Sequence, residues 1–99
     1  MTFEKIQEKN SLTYVVSGKL DVNTSPELQE DLEASISGIE ELVFDFSGLE
    51  YMSSAGLRVL VFADKKMGPG GSTVITGAND FILEILDTTG LLDFFEIRE

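Results

Sequence analysis

The sequence predicts an α/β fold in which a mixed β-sheet is joined by helical crossovers in the order ββαβαβα(β). Three observations carry that prediction. Short apolar, β-branched runs of strand length alternate with segments whose apolar residues recur at helical spacing. Each helical segment ends at glycine, and the first two open on serine. Two strand–helix–strand units in succession require parallel pairing, while a tight turn near the start adds one antiparallel strand.

Residues 3–9 form a candidate first strand, although Phe3 and Ile6 alternate poorly. Lys9-Asn10-Ser11 reads as a hairpin turn. Residues 11–17 are β-branched and aromatic, and Gly18 closes them. Asn23-Thr24-Ser25-Pro26-Glu27 is a helix start: Ser25 is placed to cap, Pro26 suits the first turn, and Glu27 faces the positive end of the dipole. Leu28, Leu32 and Ile36 follow helical spacing, and Gly38 stops the helix. Residues 41–46 are nearly continuously apolar, as in a strand buried on both faces of a parallel sheet. Residues 47–50 read as a loop.

Residues 54–66 form the central helix, with Leu57, Leu60, Val61 and Phe62 apolar and Lys65 and Lys66 at its negative end. Met67 to Gly71 end it, and residues 72–76 form another strand. Asp80 is placed to cap a third helix whose apolar face is Phe81, Ile82, Ile85 and Leu86. Gly90 ends that helix. Leu91, Leu92, Phe94 and Phe95 are expected to pack back on the sheet before a last strand around Glu96-Ile97. The 99 residues suit one compact domain, 1–99.

Composition excludes several functions. There is no cysteine and no histidine, so disulfides, thiol chemistry and the usual imidazole base are all removed. A net charge of −11 with only seven Lys and Arg disfavours nucleic acid and anionic membrane surfaces. It would steer a basic protein partner toward this surface, or simply keep the chain soluble. Neither a signal peptide nor a membrane-inserted segment is expected, and the composition suits the cytoplasm. No metal or cofactor is implied. Glu40-Glu41 and Asp87 lack metal-loop spacing. Gly68-Pro69-Gly70-Gly71-Ser72-Thr73 lacks the lysine of a phosphate loop and follows a helix, so it reads as a turn.

The densest candidate site is Tyr51-Met52-Ser53-Ser54-Ala55-Gly56-Leu57, where two hydroxyls meet a helix N-terminus. The free N–H groups there favour negative charge. Spacing alone leaves two readings open: helix capping by Ser53 or Ser54, or a phosphorylatable serine in a slim turn that a partner's active site can approach. A nucleophilic role lacks a base. Lys65 and Lys66 lie about three turns away along the helix, beyond proton-transfer reach.

Residues 43–57, from Val43-Phe44-Asp45-Phe46 to Ser54-Ala55-Gly56-Leu57, resemble the hallmark of STAS domains, the anti-sigma factor antagonists and their bacterial relatives. Gly18-Lys19-Leu20-Asp21 with the following helix, and residues 85–95, resemble the family's two other characteristic segments. The three occur in family order and span nearly the whole chain. The resemblance implies a mixed sheet with helices mainly on one face, and no enzymatic activity. It further implies a cytoplasmic binding module that, unphosphorylated, sequesters a serine-kinase anti-sigma factor in a partner-switching pathway. A serine phosphatase would restore binding after phosphorylation. The acceptor position falls on Ser54.

The implied contact surface is Asp21, Asn23, Thr24, Tyr51, Met52, Ser53, Ser54, Ala55, Gly56 and Arg58. The chain departs from the family pattern at Ser53, where many members carry Asp, and at Ala55, where others have Ser or Thr. Ser53 is thereby a second candidate acceptor. The other function open to such a chain is an unphosphorylated STAS scaffold or transport-associated subunit that binds an intracellular partner or a small ligand.

Overall fold

A computed structural model describes residues 1–98. The elements are β1 (Thr2–Glu8), β2 (Ser11–Leu20), α1 (Ser25–Ser35), β3 (Glu41–Met52), α2 (Ser54–Met67), β4 (Ser72–Thr76), α3 (Asp80–Thr88), a 3-10 turn (Leu92–Phe94) and β5 (Glu96–Arg98). The strands lie in the sheet in sequence order, β1-β2-β3-β4-β5. The β1–β2 pair is an antiparallel hairpin turned at Lys9, whose φ is +54°. The remaining pairs are parallel, each bridged by a helix. The predicted order, including the final strand, is the observed one.

The register puts Tyr14 beside Phe44 and Phe44 beside Ile75 on one face. These side chains join Leu28, Leu32, Leu57, Leu60, Ile82 and Leu86 of the three helices in one buried core. The helices therefore cover that face. On the other face Val15 and Asp45 are half-buried. The expectation that β3 is buried on both faces is thus corrected: Leu42, Phe44 and Phe46 are buried, while Val43 and Asp45 between them are half-buried. The apolar run reflects β-propensity at Val43 more than a second covered face.

A larger correction concerns residues 47–50. They are strand, because β2 also continues past Gly18 and supplies partners: Ser17 lies opposite Gly48, Gly18 opposite Leu49, Lys19 opposite Tyr51 and Leu20 opposite Met52. Two register shifts accommodate the extra residues. Gly48 suits a point where the strands crowd, since a β-carbon there would lie 2.5 Å from Ser17 Oγ and 3.2 Å from Ser17 Cβ. Leu49 points into the core.

The helix starts also differ from expectation. Ser25 is the first helical residue, with Thr24 at the cap position and no side-chain cap bond. Asp21 closes the turn that leads into the helix, its carbonyl accepting from the Thr24 and Ser25 backbone N–H groups. In α3 the cap is Asn79, not Asp80, and its Oδ1 accepts from Ile82 N at 2.9 Å. Phe95 is core as expected, but Phe94 is 54% exposed, because the 3-10 turn rotates it off the sheet.

Candidate functional site

The candidate site lies at the carboxyl ends of two parallel neighbours, β2 and β3, where open α/β sheets commonly bind ligands. The extended pairing carries both strands to the same height, and Ser53 N donates to Leu20 O at 2.9 Å. The β2–α1 loop and the head of α2 are thereby held side by side. The structure brings together Asp21, Asn23, Thr24, Tyr51, Ser53, Ser54, Ala55 and Arg58 around this junction.

Asp21 is a loop builder. One of its carboxylate oxygens accepts from Asn23 N at 2.9 Å, from Thr24 N at 3.2 Å and from the Thr24 hydroxyl at 3.3 Å. The Asn23 backbone bond, reinforced by Thr24, holds its carboxyl below the ordinary carboxylate range. Thr24 Oγ1 also donates to Lys19 O and accepts from Asp21 N, so the turn is closed from both sides. This exposes Val22 at 71%, a lone apolar side chain on a polar loop. Val22 was absent from the expected contact set, although an isolated apolar residue in Asp21-Val22-Asn23-Thr24 is a signal the sequence carries.

At the head of α2 the two serines part ways. Ser53 is the N-cap, with extended backbone, and its Oγ accepts from Ala55 N at 3.3 Å. Ser54 is the first helical residue, exposed, and its hydroxyl makes no hydrogen bond within the described residues. One serine is committed to the backbone and the other is free. Spacing could not separate them.

Two expected contact residues face inward. Met52 is 1% exposed and Gly56 is buried. A β-carbon on Gly56 would lie 2.7 Å from Met52 Cγ and 3.0 Å from Leu20 Cγ, so glycine lets α2 approach the strand ends closely. Both residues pack beneath the exposed head of α2.

Phe81 was expected in the core and is 46% exposed. Its ring stacks on Tyr51 with centroids 5.7 Å apart. The buried line of α3 runs through Ile82 and Leu86, four residues apart, and Phe81 lies one position, about 100°, round the helix from it. Val22 on the β2–α1 loop, Tyr51 near the end of β3 and Phe81 at the start of α3 are thus exposed side chains around this end of the sheet, and tyrosine is a residue type enriched among interface anchors. Among the described residues no cluster of acidic side chains could hold a metal, and no helix is long and apolar enough to cross a membrane.

Comparison with known proteins places this arrangement. The STAS domain family model matches residues 2–99. The chain belongs to the STAS domain family. It is 32% identical over 98 residues to the anti-sigma-B factor antagonist of Listeria monocytogenes, covering 95% of this chain and 84% of that one. A crystal structure of an anti-sigma factor antagonist from Mycobacterium paratuberculosis superposes with a TM-score of 0.88 at 25% identity, covering 97% of this chain and 83% of that one. The phosphorylated form of the Bacillus cell fate determinant SpoIIAA has the same fold, with a TM-score of 0.79 at 14% identity, covering 99% of this chain and 92% of that one. The observed mixed sheet with helices on one face is the STAS fold the resemblance implied. In this STAS domain the hallmark segment forms most of β3, the Ser53 cap and the head of α2.

Proposed function

We propose that this STAS domain is an anti-sigma factor antagonist in a partner-switching pathway. Unphosphorylated, it sequesters a serine-kinase anti-sigma factor; phosphorylation of Ser54 releases that partner, and a serine phosphatase resets the domain. It acts as a binding module and not as an enzyme. The curated relative's role as an anti-sigma-B factor antagonist supports the reading. The observation that carries it is the division of labour at α2: Ser53 caps, leaving Ser54 exposed and unbonded at the first helical position.

A phosphoryl group on Ser54 adds about −1.5 to −2 charges within reach of the free N–H groups of the first turn. The fold then need not change. Reversing partner binding by a factor of about 1,000 takes about 4 kcal/mol. A dianion at the contact supplies that order of penalty when the partner presents no cation opposite it.

The test incubates the domain with its cognate kinase and ATP and maps the product by mass spectrometry. Phosphate on Ser54, absent from Ser54→Ala, is the expected result. Incorporation on Ser53, or persisting in Ser54→Ala, overturns the assignment. Ser54→Asp is expected to weaken kinase binding, and unchanged affinity counts against charge as the gate.

A further inference from the structure

A groove of about 510 Å³ runs from Ser54 along α2 toward the turn that follows α3. Its apolar floor is Leu57, Val61, Phe62 and Leu91. Arg58 borders it near Ser54 and Lys65 borders it two turns further on. No carboxylate of the described residues lines it, although the chain carries 18 Asp and Glu against seven Lys and Arg. Arg58 and Lys65 are exposed, and neither makes an ion pair among the described residues, whereas Lys5 is paired with Asp31 and Arg98 with Glu41. The groove is therefore an apolar, cation-bordered strip on an acidic protein.

We propose that this groove docks an acidic amphipathic helix of the protein partner, its apolar side on Val61, Phe62 and Leu91 and its carboxylates on Arg58 and Lys65. This deepens the antagonist reading and rests on it for the role of Ser54. An amphipathic helix lying in an apolar groove is a recurrent recognition mode. The charge pattern selects acidic flanks. The net charge of −11 disfavours an acidic partner at long range, but salt screens that field beyond about 8 Å at physiological ionic strength. At contact the two local cations decide.

The geometry also gives the phosphate a specific target. Ser54 and Arg58 are four residues apart on one helix and face the same groove, the spacing at which helical side chains meet. A phosphate on Ser54 takes Arg58 as its own counter-ion and turns that end of the groove negative. The partner's carboxylates then meet repulsion where they met a guanidinium.

The probe is a fluorescein-labelled peptide of about 16 residues, long enough to lie along the 14 residues of α2, with Leu at helical spacing and Glu on the flanks. A control peptide carries Lys in place of each Glu. Binding is read by anisotropy and by amide shifts in NMR spectra. The expected result is that the Glu peptide binds and shifts Val61, Phe62 and Leu91, and that Lys65→Glu weakens it roughly tenfold. The Lys peptide should bind more weakly than the Glu peptide.

Equal affinity for the two peptides, unchanged affinity in Lys65→Glu, or no binding to wild type overturns the proposal. So does decanoate shifting the same amides where the Glu peptide does not, which assigns the groove to a lipid anion. Ser54→Asp is expected to weaken the Glu peptide as well. Should Ser54→Asp bind normally while Lys65→Glu does not, the groove stands and the gating role of Ser54 falls. Lys65 is exposed near the negative end of α2, so Lys65→Glu should lower the melting temperature by several degrees but leave the domain folded, which circular dichroism and the melt check alongside.

Discussion

Gly56→Ala sets two effects of known size against each other. Glycine in a helix costs about 1 kcal/mol relative to alanine, so helix propensity alone favours the substitution. The added β-carbon, however, would lie 2.7 Å from Met52 Cγ and 3.0 Å from Leu20 Cγ, both on fully packed side chains. Neither atom is the free end of a flexible chain, so α2 or the strand ends must shift. Overpacking of this kind costs about 1–3 kcal/mol. The net expectation is a loss of about 0–2 kcal/mol, with packing outweighing propensity.

Met52→Ala alone opens a cavity and should cost about 2–5 kcal/mol. In the double variant the new methyl enters space that Met52 vacated. The two changes should therefore couple favourably, by roughly 0.5–3 kcal/mol. Urea denaturation followed by circular dichroism measures all four corners of the cycle, with equal slopes required for the comparison. A Gly56→Ala variant more stable by the full propensity gain, and additive with Met52→Ala, would refute the close-approach argument. Because Met52 and Leu20 end the strands that hold the site, the same shift should reduce partner affinity even where the fold survives.

Ser25→Ala should stabilise the domain by roughly 1 kcal/mol, raising the melting temperature by about 4–8 °C, because its buried Oγ has no hydrogen-bond partner among the described residues; calorimetry reads the sign, and a lower melting temperature refutes it. Ser53→Ala should cost about 1 kcal/mol through loss of the α2 cap, while Ser54→Ala should leave denaturant stability nearly unchanged; equal losses would mean the cap is shared. Burial, and then the hydrogen bond to Asp31, raises the Tyr14 pKa, so its contribution is present below the unfolded value near 10 and is lost as pH rises beyond it. Partial burial pushes Asp31 up, but the bonds from Tyr14 and Lys5 outweigh it and lower the pKa, so its contribution is present above about pH 4 and is lost as pH falls below. Stability should therefore decline on both flanks, and Tyr14→Phe should flatten the alkaline one in melts recorded against pH.

The order of elements was legible in the sequence because strand and helix periods depend on residues close together in the chain. So were the crossovers, the hairpin at Lys9-Asn10 and the prominence of Ser53-Ser54 at a helix head. The hallmark residues likewise identified the family. What local pattern could not reach depended on partners distant in sequence. Ser47-Gly48-Leu49-Glu50 has loop composition, yet it is strand because the continuation of β2 pairs with it. Phe81 belongs to the apolar run of α3, yet it lies outside, stacked on Tyr51, while Ile82 and Leu86 take the core.

Met52 and Gly56 belong to the hallmark, but only packing shows that they brace the site from within. The choice between the two serines was also tertiary. Adjacent hydroxyls are equivalent in a string of letters, and the backbone path into α2 turns one onto its own amides and leaves the other in solvent. Charge followed the same division. Composition fixed a total of −11, whereas only the folded helix gathers Arg58 and Lys65 beside an apolar groove, since residues at helical spacing share a face only once the helix has formed.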